Sequence, residues 1–340
     1  MLWLPVIALP TFQMKAASLS VTDGGLYSLT PGQKKINQLL PRSADFHLPF
    51  DLDAYSSYLR VGQYSYVVAR KTQNPVVHAK YKGKWVGIQL KGSIFSVHTA
   101  NGRLYLSCSK PSTPSTGIIP QSEIVEIKGL KITHRWGTLN GMFGGASACF
   151  TSLEGKVCLV DENGKLEPLS LPREMLSSPK DRDTIPVASS KNWILLRKRN
   201  QSYWISTRTR QVKPCSLENV RTYTSVGTPT VIWAVGIRDG ESRLQRFDGQ
   251  KVVECVIDKE FRDSCQVVAN ETQACVAVRS LGESETRFIC ISYKGNHLYQ
   301  FTKYKDWGDA LTGFFALFND RIYLVNTSTN QLNSLLVTKP

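Results

Sequence analysis

The stretch Val76-Val77-His78-Ala79-Lys80-Tyr81, Lys82-Gly83, Lys84-Trp85-Val86-Gly87-Ile88-Gln89-Leu90 decides the fold. Two runs of strand-forming residues flank a two-residue turn that ends in glycine, the mark of a β-hairpin. The same pattern opens the chain as Gly25–Leu29, Thr30-Pro31-Gly32-Gln33 and Lys34–Leu40. It returns as Glu123–Lys128, Gly129, Leu130–Trp136, and then as Val157–Asp161, Glu162-Asn163-Gly164, Lys165–Leu171. A fifth copy is Ser202–Ser206, Thr207–Arg210, Gln211–Leu217, and a sixth is Arg243–Phe247, Asp248-Gly249, Gln250–Ile257. The last two are Arg287–Ser292, Tyr293–Asn296, His297–Thr302 and Arg321–Val325, Asn326–Asn330, Gln331–Val337.

These hairpins start about 35 to 50 residues apart, the blade length of a propeller. One or two further strands precede most of them, such as Ser93–Thr99 and Arg103–Ser107, or Thr184–Ala188 and Asn192–Leu196. The expected unit is therefore a four-stranded antiparallel meander, strands a to d, with the hairpin as c–d. A twisted sheet of this kind cannot cover both faces alone, and stacking around an axis buries both. The expected fold is all-β: a single β-propeller over residues 1–340 with eight repeats, and seven blades as the alternative closure. Units one, four and eight read as three-stranded, and Ser109–Thr116 reads as a loop inside unit three.

The bulk numbers agree with a folded chain. Of the 340 residues, 41% are hydrophobic and 20% charged, which excludes an intrinsically disordered composition. Net charge is +15 and the pI about 9.5, which favours acidic partners such as nucleic acid, anionic glycans or an anionic membrane surface. The eight cysteines (108, 149, 158, 215, 255, 265, 275 and 290) show no CxxC or zinc spacing. Most lie in apolar strand-like runs and read as small buried hydrophobes; Cys275 and Cys290 are placed to face each other across a hairpin. Strand cysteines of this kind point to an intracellular protein. The apolar start, Met1 to Pro10 with Ala16-Ala17-Ser18 after it, points instead to a leader or a first-blade strand in residues 1–17. No run approaches the ~18 apolar residues of a membrane-spanning helix.

The segments Gly102-Arg103-Leu104-Tyr105-Leu106, Glu123-Ile124-Val125-Glu126-Ile127 with Trp136, and Asn319-Asp320-Arg321-Ile322-Tyr323-Leu324-Val325 resemble kelch-type blades. Kelch blades carry a Gly-Gly pair after strand b, and here the Gly pairs are Gly24-Gly25 and Gly144-Gly145, outside that position. The resemblance implies the propeller architecture and no function.

No HExxH, GxSxG, Walker loop or dinucleotide glycine fingerprint is present, so no catalytic residue, metal ligand or cofactor is expected from motif. The histidines (47, 78, 98, 134 and 297) are dispersed among the units. Asp45, Asp51 and Asp53 read as a solvated inter-blade loop. Tyr55, Tyr58, Tyr64 and Tyr66, near Arg60, Arg70 and Lys71, read as strand packing rather than a stacking platform.

Charge gives the one candidate site. In a meander, b–c and c–d turns lie at opposite ends of the strands. The expected c–d turns carry Lys34, Lys35, Lys82, Lys84, Lys128, Lys131, Lys165, Arg208, Arg210, Lys213, Lys251 and Lys294, against Asp161, Glu162 and Asp248. The expected b–c turns are mixed, with Arg70, Lys71 and Arg197-Lys198-Arg199 against Asp23, Glu154, Asp239, Glu241, Glu283, Glu285 and Asp320. The expected function is a non-enzymatic interaction platform that binds a protein or polyanionic partner through the basic face. The alternatives are a carbohydrate-active hydrolase or lyase with an axial site, and a nucleic-acid-associated component of a larger assembly.

Overall fold

The computed structural model describes residues 18–41, 46–53, 56–69, 74–109, 122–143, 145–176, 183–258, 264–279, 286–305, 315–319, 321–326 and 331–336. Residues 1–17, Asp45, Tyr55, Arg70, Lys71, Glu283, Glu285, Asp320 and most of the Ser109–Thr116 loop lie outside them. The described residues are strands and short turns, with two single 3-10 turns at Arg173–Met175 and Thr222–Thr224.

The first sheet has the order β1 (Ser18–Thr22), β2 (Gly25–Leu29), β3 (Lys35–Leu40), β4 (Phe46–His47). The second is β5 (Ser57–Val61), β6 (Tyr64–Val68), β7 (Val76–Tyr81), β8 (Lys84–Gln89). A seven-stranded run follows: β9 (Ile94–Ala100), β10 (Arg103–Ser109), β11 (Ser122–Lys128), β12 (Lys131–Phe143), β13 (Ala148–Ser152), β14 (Val157–Val160), β15 (Leu166–Pro168). Here β12 pairs with β11 from Lys131 to Thr138 and with β13 from Thr138 to Phe143. It is thus strand d of one meander and strand a of the next, which we call the third and fourth meanders.

The fifth is β16 (Thr184–Ser189), β17 (Trp193–Lys198), β18 (Gln201–Ser206), β19 (Val212–Cys215), and the sixth β20 (Ser225–Gly227), β21 (Ile232–Arg238), β22 (Glu241–Phe247), β23 (Val252–Asp258). The seventh is β24 (Ser264–Ala269), β25 (Gln273–Arg279), β26 (Thr286–Lys294), β27 (His297–Lys305). A three-stranded sheet, β28 (Phe315–Phe318), β29 (Arg321–Asn326), β30 (Gln331–Leu336), ends the chain.

All eight expected hairpins are present as adjacent antiparallel strands. Two expectations are corrected. The first unit has four strands, because the polar segment Ser18–Thr22 forms β1 ahead of the hairpin and the two-residue β4 follows it. Its hairpin is therefore b–c, and so is the last one, where β28 supplies strand a. The fourth unit also has four strands, because it borrows the end of β12.

The chain divides into two compact units, residues 60–261 and residues 1–59 with 262–340. In the first, Trp204, Leu217, Val220, Ile232, Ala234 and Phe247 fill the space between the fifth and sixth sheets. Trp204 stacks on Phe247 with centroids 4.5 Å apart, and Trp193 meets the same ring edge-on at 4.9 Å. On the other face of the fifth sheet, Ile194, Leu196 and Ile205 pack with Cys149 and Val157 of the fourth and with Met175 of the 3-10 turn that follows it. The fifth sheet is thus buried on both faces, as alternation along β17 requires. In the second unit, Cys275, Phe288 and Cys290 pack with Phe315, Ile322 and Leu324, and Leu26 with Ala316, Phe318 and Tyr323.

Inner strands of neighbouring sheets approach backbone to backbone. The Ala146 amide donates to the Ser189 carbonyl at 3.1 Å, and the Ser189 hydroxyl donates to the Ser147 carbonyl at 2.7 Å. A Cβ on Gly145 or on Gly227 would fall on that same Ser189 carbonyl oxygen. Glycine is needed at both because the partner is backbone and cannot swing away. Gly227→Ala should lower the unfolding free energy by about 1–3 kcal/mol. Urea titration checks this, and a change under about 0.5 kcal/mol would contradict the close approach.

Candidate functional site

Within the unit of residues 60–261, one end of the strands is tied together sheet by sheet. The Tyr66 hydroxyl of β6 donates to the carbonyl of Gly129 in the β11–β12 turn at 2.9 Å. Burial pushes that phenol up to about 12. From the β9–β10 turn, Asn101 Nδ2 donates to the Val160 carbonyl and Arg103 Nη1 to the Asp161 carbonyl, both at 3.3 Å and both at the β14–β15 turn. Gly145 to Ser147 meet Ser189, and the Lys191 amide donates to the Pro229 carbonyl at 3.0 Å. The Trp193 indole lies against Gly249 of the β22–β23 turn. Each contact joins strand b or the a–b turn of one sheet to an a–b or c–d turn of the next. The five c–d turns of this unit therefore share one edge.

That edge carries nine of the twelve expected basic residues: Lys82, Lys84, Lys128, Lys131, Lys165, Arg208, Arg210, Lys213 and Lys251. Lys191, in the β16–β17 turn, joins them and was missed because its turn is a–b. Arg210 and Lys213 are half-buried and the others are exposed. None makes an ion pair within 4 Å among the described residues. Lys82 lies over the Tyr81 ring at 5.3 Å and Lys213 over Trp193 at 5.0 Å, cation–π contacts that leave the charge in place.

The three remaining expected residues are elsewhere. Lys34 and Lys35 flank a b–c turn, a correction that follows from β1, and Lys294 is in the β26–β27 turn of the other unit. Asp23 is likewise in an a–b turn rather than b–c.

Two of the three acids on the edge are engaged by turn backbone. Asp161 Oδ1 accepts from the amides of Asn163 and Lys165 at 2.8 and 2.7 Å. Asp248 Oδ1 accepts from Gln250 and Lys251 at 3.0 and 2.8 Å. These backbone donors, chiefly that of Lys165, hold the Asp161 carboxyl below its ordinary range. Burial opposes the same shift at Asp248, where the amides and Arg246 outweigh it. The third acid, Glu162, is exposed.

The β14–β15 turn also rests on the buried Arg103–Glu126 pair. Glu126 Oε1 accepts from Thr133 Oγ1 and lies 3.0 Å from His134 Nδ1, while Arg103 is 3.7 Å from the other carboxylate oxygen. His134 stacks on Trp136 with centroids 5.1 Å apart.

The opposite edge has a different balance. Glu154 pairs with Lys156 at 2.8 Å, Asp183 with Arg199 at 3.2 Å, and Asp239 with Arg238 at 3.5 Å. Glu254 bridges Arg238 and Arg243 at 2.9 and 2.8 Å. The fifth sheet's two basic groups fall on opposite edges, Arg197 to Arg199 at b–c and Arg208 with Arg210 at c–d.

The remaining sequence candidates form no chemical site. Tyr58 and Tyr66 are buried, as packing requires. His78, His98 and His297 lie in separate strands. Among the described residues, no three of His, Cys, Asp and Glu are grouped to hold a metal ion. No described helix is long and apolar enough to cross a membrane. Cys275 is directly opposite Cys290 in the β25–β26 register, with both thiols free and buried. Burial pushes the thiols of Cys108, Cys215 and Cys255 up to about 12.

Backbone conformation singles out two residues of the edge. Lys82 has φ +47° and Arg210 φ +61°, left-handed values that asparagine or glycine adopt at lower cost. Lys82→Asn and Arg210→Asn should therefore raise stability by about 0.5–1 kcal/mol while removing charge. Thermal unfolding at matched pH checks it; loss of stability in both variants would contradict the strain.

No protein-family model matches the sequence, and no curated protein sequence matches it. Solved structures do match. The acylaminoacyl peptidase of Pyrococcus horikoshii aligns over 86% of this chain and 54% of its own, with TM-score 0.50 and 12% identity. This chain thus spans little more than half of that peptidase. The WD40 domain of Toxoplasma gondii coronin aligns over 98% of this chain and 86% of its own, with TM-score 0.50 and 10% identity. AztD of Citrobacter koseri aligns over 84% and 85%, with TM-score 0.51 and 11% identity. At such identity these likenesses show fold alone, and the fold is of the β-propeller class.

Proposed function

We propose that this protein is a non-enzymatic propeller with eight blades, one per hairpin, acting as an interaction platform for an acidic protein surface. The contact surface is the c–d edge of residues 60–261. One observation carries the reading. Nine basic side chains and Lys191 share an edge without ion pairs among the described residues, while Glu154, Asp183, Asp239 and Glu254 towards the opposite edge are paired with arginine or lysine.

Unpaired like charges on one surface repel, and a fold gains nothing from collecting them. Lysine also protects exposed strand ends, which accounts for its presence in turns but not for the excess of ten basic side chains over the three acids Asp161, Glu162 and Asp248. An acidic partner would release the repulsion and be steered to the edge from a distance. Most of these side chains are exposed and each contact is individually weak, so affinity should come from their number and fall with salt.

The test is charge reversal. A variant with Lys82, Lys128, Lys165 and Lys251 changed to Glu should lose at least tenfold in affinity for a polyglutamate peptide at about 0.1 M salt. Its binding should also depend less on salt than wild type. Reversal of Lys156 and Arg199 on the opposite edge should change affinity less than twofold. Equal loss from both sets, or wild-type binding that ignores salt, would overturn the proposal. Tighter binding to DNA, RNA or heparin than to the acidic peptide would assign the edge to a different polyanion.

A further inference from the structure

On the b–c edge, two arginines come together without a carboxylate. Arg197 is the third residue, after Trp193 and Leu195, on the face of β17 that packs toward the sixth sheet. Its Nη1 donates a long 3.4 Å hydrogen bond to the Val220 carbonyl, and its Nε is buried without a hydrogen-bond partner. Arg221 follows directly in the connection from β19 to β20.

That connection is fixed at its ends. The Asn219 amide donates to the Asn200 carbonyl of the β17–β18 turn at 3.1 Å. The Arg221 amide donates to Thr224 Oγ1 at 2.9 Å, and the Arg221 carbonyl accepts from the hydroxyls of Thr224 and Ser225 at 3.0 and 2.9 Å. The Arg221 guanidinium sits 5.8 Å from the Tyr223 ring centroid, with Nη1 donating to the Tyr223 hydroxyl at 2.5 Å. Tyr223 is 45% exposed.

Nearby acids are absent from the pair. Asp183 is held by Arg199, Asp239 by Arg238, and Glu218 of the same connection makes no ion pair with either arginine. Burial first, and then the charge of Arg221, keep the Arg197 guanidinium below its ordinary range. A half-buried cation with an unused donor and a like-charged neighbour is costly unless something neutralises it.

We propose that Arg197, Arg221 and Tyr223 form a phosphate-binding site that takes a phosphomonoester. Guanidinium forks match phosphate oxygens two at a time, and the Tyr223 hydroxyl adds a further donor. The charges also match. Two guanidiniums would match a group that carries about −1.5 to −2 at neutral pH better than a carboxylate, which carries a single charge. Backbone hydrogen bonds fix Arg221 before the ligand arrives, which limits the ordering cost of binding.

The test uses the whole chain at constant ionic strength, with inorganic phosphate, a phosphoserine peptide and its unphosphorylated form as probes in calorimetric titration. Phosphate and phosphopeptide should bind saturably and the unphosphorylated peptide should not. Arg221→Ala, an exposed position that leaves the core intact, should weaken both at least tenfold. Arg197→Lys, which keeps the charge but loses the fork, should do likewise, and Tyr223→Phe should weaken both about twofold to fivefold. Tighter phosphopeptide binding would assign the site to a phosphorylated chain, and equal binding to the free ion. Absence of saturable binding in wild type, unchanged binding in Arg221→Ala, or equal affinity for acetate would overturn the proposal. The charge reversals on the c–d edge should leave phosphate binding unchanged, so the two readings fail separately.

Discussion

A twisted four-stranded sheet with two apolar faces cannot stand alone in water, and the organisation of this protein follows from that constraint. The fifth sheet shows it most clearly. Trp193 and Leu195 pack toward Trp204, Leu217 and Phe247 on one side, while Ile194 and Leu196 pack toward Val157 and Met175 on the other. Once neighbouring sheets share cores in this way, their inner strands converge, and the backbone near Ser189 has no room for side chains at Gly145 or Gly227. The turns at that end are then locked to each other by Tyr66, Asn101, Arg103 and Trp193. A shared edge results from this packing, and the turn residues determine what the edge presents.

The hairpins were legible in the sequence because their turns use residues that tolerate left-handed backbone. Gly83, Gly129, Gly164 and Gly249 all have positive φ and stand between alternating runs. Strand a was harder to read. Ser18–Thr22 is a polar five-residue strand with no fully buried position, so the first hairpin passed for c–d and Lys34 and Lys35 were assigned to the wrong end. The double role of β12 was also hidden, since a thirteen-residue strand serving two meanders has no marker except length.

The basic edge was partly legible, because c–d turns can be counted along the chain. The Arg197 and Arg221 pair was not. One residue lies next to the end of a strand and the other in a connection two strands later, and only the folded register brings them to the same rim. The ion pairs of the b–c edge were equally invisible, and they are what makes the two edges differ. Net charge of +15 describes the whole chain, whereas placement of partners turns it into a surface with a direction.

Hydrogen exchange of the whole chain, with and without a saturating acidic peptide, tests the central claim most directly. Protection should concentrate at 82–84, 128–131, 161–165, 207–213 and 248–251, with little change at 153–156, 199–200 and 239–240. Protection spread evenly over both edges, or concentrated at the second set of turns, would contradict it.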